Sequence, residues 1–376
     1  ATFTDISAGT FGGAIAGYAS SVEVQRSSFF DVHAGRGGGT VFMGLVGTLL
    51  LNNSDVTNSS AGGRGGAMYL EGTDALLLKS NFARSSAKRG GAVYATPGIL
   101  EDEGDELRVI NSRFAGCESN MGSGGAIWAG VRESVELVGS NFTRVNASRD
   151  GGAVYVGTAS VTVRRCDFDD TFAAFNGGAL SVDNNGVVII ADSRFASCQS
   201  GSLGGALALI RSDLQISGTK MERASSRHGG AIFIFQGNVA ISTSAFNNII
   251  AQHNGGFLMA YDAHLAVNSS KFAAISAGDY GGVFCGVKYT DGHRTELALS
   301  ETSFANTRAF SGGAIYWTPD SANITATTVH NSSATSAGGF LTIPDRSSGS
   351  ASLNVSFCKF SELSADLMSG AIHLGD

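Results

Sequence analysis

Apolar and small residues recur along this chain in a fixed order. A glycine pair is followed by Ala, an aliphatic residue, a variable residue and a further apolar one. Gly151-Gly152-Ala153-Val154-Tyr155-Val156 is one copy and Gly65-Gly66-Ala67-Met68-Tyr69-Leu70 another. Such pairs begin at Gly12, Gly38, Gly65, Gly90, Gly124, Gly151, Gly177, Gly204, Gly229, Gly255, Gly281, Gly312 and Gly338, and a Ser369-Gly370 variant follows; most lie 25 to 27 residues apart. A second anchor, usually 17 or 18 residues after the pair, is nearly always Phe, as at Phe82, Phe114, Phe142, Phe168 and Phe195. Aliphatic residues stand seven and five positions before it (Val161 and Val163, Leu214 and Ile216), and a small residue, usually Ser or Thr, stands two before. Alternation broken at fixed places predicts short strands separated by bends. One strand starts at the glycine pair, a second carries the paired aliphatics, and a third starts near the Phe.

A fixed period of this length is the mark of a solenoid, in which each repeat buries its apolar face only against its neighbours. Three strands closing one turn predict an all-β fold, a single-stranded parallel β-helix of about 13 coils, with like residues stacked at ~4.8 Å into a rod on the order of 60 Å long. The rule for parallel crossovers makes it right-handed. Leucine-rich repeats would carry a ladder of Asn at a fixed turn, and this chain has none. The expectation is one β-helix domain over 1–376, entered mid-repeat and left in an unfinished one, hence an excerpt of a longer array. Three longer repeats place their extra residues between the first and second strands, at Pro97 to Glu106, Lys288 to Arg294 and Pro344 to Ser350. Insertions therefore collect on one edge, which in solenoids is commonly the binding edge.

The Gly-Gly-Ala-(Ile/Val/Leu) motif followed by a Phe-centred strand resembles the repeat of chlamydial polymorphic outer membrane proteins, and the resemblance runs over essentially the whole chain. It implies a right-handed parallel β-helix, of the pectin-lyase-like kind, in a surface-exposed protein with an adhesive or structural role.

Composition adds exclusions. Charged residues make up 15% of the chain, with 52 Gly and only 3 Pro, so turns depend on glycine. A net charge of −7 and the lack of any basic stretch interleaved with aromatics speak against a nucleic-acid partner. No apolar run approaches the ~18 residues of a membrane span. Five cysteines lack metal-ligand spacing; Cys117, Cys166, Cys198 and Cys358 read as buried small residues, and Cys285 falls at the variable position after the glycine pair. Neither a cofactor nor a metal is expected.

Four sets of residues carry candidate chemistry. The variable position reads Phe42, Tyr69, Tyr94, Trp128 and Tyr155 in five successive repeats, an outward aromatic ladder ~20 Å long if each ring is one coil from the next. Such a ladder stabilises a sheet face, packs against a neighbouring protein or binds a glycan. Asn52, Asn58, Asn141, Asn146, Asn268, Asn323, Asn331 and Asn354 head Asn-x-Ser/Thr triplets at outward phases, as in a secreted glycoprotein. Asp167, Asp169 and Asp170, near Arg164 and Arg165, resemble part of a polysaccharide-cleaving site of the pectinase type, but without the family's sequence signatures they read first as an ordinary solvated turn. The acidic run Glu101, Asp102, Glu103, Asp105 and Glu106 lacks the ligand spacing of a calcium loop and reads as solvated charge. Asp262 with His264, and His293 beside Arg294, show no nucleophile at a recognisable spacing.

Two functions follow. The first is a non-enzymatic structural or adhesive rod of a large extracellular or cell-surface glycoprotein, packing against other chains of a surface assembly or itself, with glycans as a second ligand class. The alternative is a polysaccharide lyase or glycoside hydrolase on the same fold.

Overall fold

In the computed structural model every regular element among the described residues is a β-strand, and all the pairings between strands are parallel. The protein is an all-β parallel solenoid of about thirteen turns. Residues 1–98, 105–130, 134–184, 186–290, 295–344 and 352–375 are described. Each coil contributes a glycine strand such as Val154–Val156, an aliphatic strand such as Ser160–Arg164 and a Phe strand such as Asp167–Ala173. The inserted residues fall between the first two, as between Val93–Thr96 and Glu106–Ile110. In some coils those two strands run together, giving Ile232–Ser242 and Leu258–Asn268.

Three corners recur, each with its own chemistry. At the first, the leading glycine of the pair has φ between 58° and 71°, where a side chain is strained. The trailing glycine faces a different constraint. A Cβ on Gly125 would lie 2.0 Å from the Gly152 carbonyl oxygen of the next coil, and one on Gly66 would lie 2.1 Å from that of Gly91. The second corner is a single left-handed residue before the Phe strand, filled by Arg26, Asn53, Lys79, Asn111, Gly139 and Arg165 in the first six complete coils. Its hydrogen bonds are met from inside. The following small residue sends its hydroxyl to the carbonyl two residues back and accepts the amide of its counterpart in the previous coil. Thus the Ser54 amide donates to Ser80 Oγ (3.2 Å), and the Ser80 amide to Ser112 Oγ (3.1 Å). These hydroxyls are buried, and the ladder leaves neither donor nor acceptor of the bend unmet. The third corner lies two residues after the Phe, again left-handed, at Asn58, Arg84, Arg144, Asp170 and their equivalents.

Contacts divide the chain into two units, Ala1–Val188 and Ile189–Asp376. In the first, the anchor rings stack face to face: Phe82 to Phe114, Phe114 to Phe142 and Phe142 to Phe168 are 4.7, 4.9 and 4.8 Å apart and within 4° of parallel. Ala67, Ala92, Ala126 and Ala153, after the glycine pairs, are buried beside them and leave room for that stack. The second unit keeps this alanine at Ala206, Ala231 and Ala314 and replaces it by Phe257, Val283 and Phe340. There Phe246, Phe272 and Phe304 are 4.9 and 5.3 Å apart and tilted by 27° and 14°, because Phe257 wedges against Phe246 at 4.3 Å.

Candidate functional site

The aromatic ladder of the first unit is in register: Phe42 pairs with Tyr69, Tyr69 with Tyr94, Tyr94 with Trp128 and Trp128 with Tyr155. Successive ring centroids lie 5.3, 5.3, 4.2 and 5.9 Å apart. Its exposure differs from the expectation. Phe42, Tyr69 and Tyr94 are 4%, 8% and 3% exposed, while Trp128 and Tyr155 are half-buried. The cause is local. The position two residues on is glycine at Gly44 and Gly130, and the rings lie down over it, so a Cβ there would meet Phe42 and Trp128 at 2.9 and 2.8 Å. Phe11 stacks against Phe42 at 4.6 Å from the corner preceding a glycine pair. From the same corner two coils on, the Arg64 guanidinium sits 5.1 Å from the Tyr94 ring centroid and donates to the Tyr69 hydroxyl at 3.4 Å. Burial pushes the Tyr94 phenol up.

The ladder ends in a polar cluster. The Tyr155 hydroxyl donates to Asp183 Oδ2 at 2.7 Å. Asp150 accepts from Asn176 Nδ2 at 2.9 Å and from the Ser123 hydroxyl at 3.3 Å, with Arg149 Nε 4.0 Å away. Burial raises the Asp150 carboxyl above the usual range; Arg149 opposes this and the Asp183 charge adds to it. The Tyr155 phenol is pushed up by burial and by its bond to Asp183.

The second unit carries an aromatic cluster that sequence reasoning missed. At the variable position Phe233, Met259 and Cys285 are buried, with Tyr316 packed against them. Two residues on, Phe235 and Tyr261 are half-buried and lie 6.3 Å apart. Tyr289, from an insertion, lies 6.3 Å from Phe235 and 6.2 Å from Tyr261 and is 71% exposed. Asp262 holds this turn, and that is its role in place of any partnership with His264. Asp262 Oδ1 accepts the amides of Tyr289 (2.7 Å) and Thr290 (3.1 Å), and Oδ2 accepts the Thr290 hydroxyl. Phe235 and Tyr261 share a readable column; the phase of Tyr289, inside an insertion, was not readable.

The remaining candidates occupy positions that recur in many coils. Arg165 and Asp170 are left-handed corner residues, Cys166 stands in the hydroxyl ladder, and Asp167 and Asp169 flank the buried Phe168. Of the eight sequon asparagines seven are exposed and Asn52 is half-buried. In two sequons the hydroxyl residue, Ser54 or Ser270, belongs to the buried ladder. All five cysteines are free thiols. Cys285, expected at the surface, is 1% exposed because Phe233, Met259 and Tyr316 enclose it. Cys358, expected to be buried, is half-buried. Burial pushes the Cys117 thiol up to about 12 and that of Cys166 to about 11. Glu101, Asp102, Glu103, His293 and Arg294 lie outside the described residues. Asp105 is buried and accepts the Gly98 amide at 3.2 Å. Among the described residues no group of three His, Cys, Asp or Glu could hold a metal ion, and no helix is long and apolar enough to cross a membrane. Two shallow grooves open on the outer faces of aliphatic strands. One of 490 Å³ lies along Glu23, Leu50, Asp74 and Arg108, and one of 430 Å³ along Ala240, Ala266, Ala298 and Asn268.

No family model matches this chain, and neither does any curated protein. Among solved structures it is similar to that of a periplasmic alginate epimerase, AlgG, with 10% identity over 91% of this chain and 76% of the other, and a TM-score of 0.38.

Proposed function

We propose that this chain is a non-enzymatic structural and adhesive segment of an extracellular or cell-surface protein, packing laterally against neighbouring chains or against copies of itself. The observation that carries this reading is the half-exposed end of the aromatic ladder. Trp128 and Tyr155 present apolar surface to solvent while the rings behind them are buried and hold them in place. Rigid aromatic anchors backed by a packed layer are the usual energetic centre of a protein interface. The exposed sequons support a secreted glycoprotein. The resemblance to the chlamydial surface repeats is confined to the glycine-pair half of the motif, and no family model supports it. The other half of the family's motif, Phe-x-x-Asn, puts Asn three residues after the Phe, where this chain turns Val32, Ser85, Cys117 and Val145 into the core.

Glycans are the less favoured ligand for this ladder. Tyr94 and Trp128 lie 4.2 Å apart and within 6° of parallel, so each covers a face of the other, whereas sugars stack on open faces. The enzymatic alternative is weakened because Arg165 and Asp170 serve as bends that other coils build from Lys79, Asn111 or Arg144.

The test is self-association of the Trp128→Ser, Tyr155→Ser double variant by analytical ultracentrifugation. At least about a tenfold weakening is expected, and assembly unchanged from the parent chain sinks the proposal. Tyr94, being buried, is unsuitable for this purpose.

A further inference from the structure

We infer that Phe235, Tyr261 and Tyr289 form an aromatic cage for a small quaternary ammonium group such as that of choline. This inference is independent of the adhesive reading and concerns different residues.

The geometry comes first. The three ring centroids are pairwise 6.2 to 6.3 Å apart, and the planes are inclined to one another by 51°, 65° and 82°. Three mutually perpendicular rings around one cation have centroids separated by √2 times the distance from cation to ring. The Tyr261–Tyr289 pair, nearest to perpendicular at 82°, thus leaves a point about 4.4 Å from each of these two rings, inside the ~6 Å reach of a cation–π contact, and Phe235 bounds the third side at a lower inclination. The inclined rings of the first unit, Phe42, Tyr69 and Tyr94, lie closer together, at 5.3 Å, and are buried, so they leave no open corner.

Charge is the second observation. Asp262 follows Tyr261 in the chain and is only 6% exposed, yet its carboxylate meets backbone amides and a hydroxyl and forms no salt bridge among the described residues. A shielded carboxylate without a counter-ion favours a cation beside it. Lys288, beside Tyr289 in the chain, does not serve: its Nζ is held by Asp320 Oδ1 at 3.2 Å. Asp262 stays ionised. Burial alone would raise its carboxyl, but the hydrogen bonds from Thr290 and Tyr289, with one from Gln236, outweigh that and hold it below the usual range. The same bonds fix Tyr289 over the other two rings. A methylated ammonium suits the site better than Na⁺ or NH₄⁺, since its charge is spread over apolar methyl groups that shed water at little cost.

The test is calorimetric titration of the whole chain with choline chloride. Saturable binding in the millimolar range is expected, with competition by tetramethylammonium and none by NaCl at equal ionic strength. Tyr289→Leu should weaken binding at least about tenfold, while Tyr289→Trp should retain it. Because Tyr289 is largely exposed, both variants should melt with the parent. Phosphatidylcholine and phosphatidylglycerol vesicles separate the sources of the group. Binding to the former alone, displaced by choline, marks a lipid headgroup; binding of free choline with neither vesicle marks a soluble ligand. Absence of choline binding, binding untouched by Tyr289→Leu, or displacement of choline by neutral hexoses overturns the inference.

Discussion

The two units place aromatic residues on the outer side of the same glycine strand, two residues apart along it, and obtain different surfaces from them. In the first, Phe42 and Trp128 recline over Gly44 and Gly130, and Tyr69 and Tyr94 are buried between them and under Arg64. In the second, the position of those glycines is itself aromatic, at Phe235 and Tyr261. These rings stand inclined to one another, with Tyr289 from an insertion beside them. The interiors differ in the same sense. Alanine beside the anchor Phe permits parallel stacking in the first unit, and Phe257 in the second forces a tilt. On this scaffold the neighbour of an aromatic residue decides whether it acts as spine or as surface.

The corner both units share is where the largest effect is expected. A Cβ on Gly125 would lie 2.0 Å from the Gly152 oxygen, and one on Gly230 would lie 2.1 Å from that of Gly256. Neither neighbour is a flexible side chain that could move aside. Gly125→Ala and Gly230→Ala should each cost more than about 3 kcal/mol by chemical denaturation. If one unit tolerates its alanine, the units differ at the corner as well as on the surface, and the comparison must be recast.

A smaller and more selective break comes from truncating one ring in each unit. Tyr94→Ala removes a buried ring stacked on Trp128 and in contact with Tyr69 and should cost about 3 kcal/mol. Tyr289→Ala removes a ring that is 71% exposed and should change stability by no more than about 0.5 kcal/mol. Equal shifts in the denaturation midpoint would show that both rings act as structure and would remove the distinction between spine and surface.

The solenoid was legible because its signal is repetition: glycine pairs, paired aliphatics and Phe at fixed offsets specify strands and stacking without any long-range inference. Even the Ser or Thr before each Phe was visible as a pattern, although its purpose, to satisfy the bend from within, needed coordinates. The ladder was legible in register and misread in exposure. Alternation assigns Tyr94 a face, but whether that face is open depends on residues such as Arg64 at the neighbouring corner. The cluster around Tyr289 was hidden for another reason. An insertion breaks the phase, and only the hydrogen bonds from its backbone to Asp262 reveal where the ring comes to rest.

Two carboxylates sharpen the comparison with the smallest effects and opposite signs. Asp150, at the foot of the ladder, has its carboxyl raised chiefly by burial. Its favourable contribution is therefore complete below the ordinary carboxylate range and is lost as pH rises through the elevated value. Asn in its place keeps the neutral form: its single amide oxygen can accept from Asn176 and its amide NH₂ can donate to the Ser123 hydroxyl. Asp150→Asn should thus stabilise the chain at neutral pH by under about 1 kcal/mol, with the gain vanishing in acid. For Asp262 burial is outweighed by the hydrogen bonds from Thr290 and Tyr289, and the carboxyl is lowered. Its contribution is present above the ordinary range and fades as pH falls through the depressed value, so Asp262→Asn should destabilise at neutral pH and converge on the parent in acid. Melting curves of both variants against pH should therefore diverge from the parent in opposite directions as the solution is brought from acid to neutral. Divergence in the same direction would mean that the turn beneath Tyr289 is held by packing, with the Asp262 charge contributing nothing.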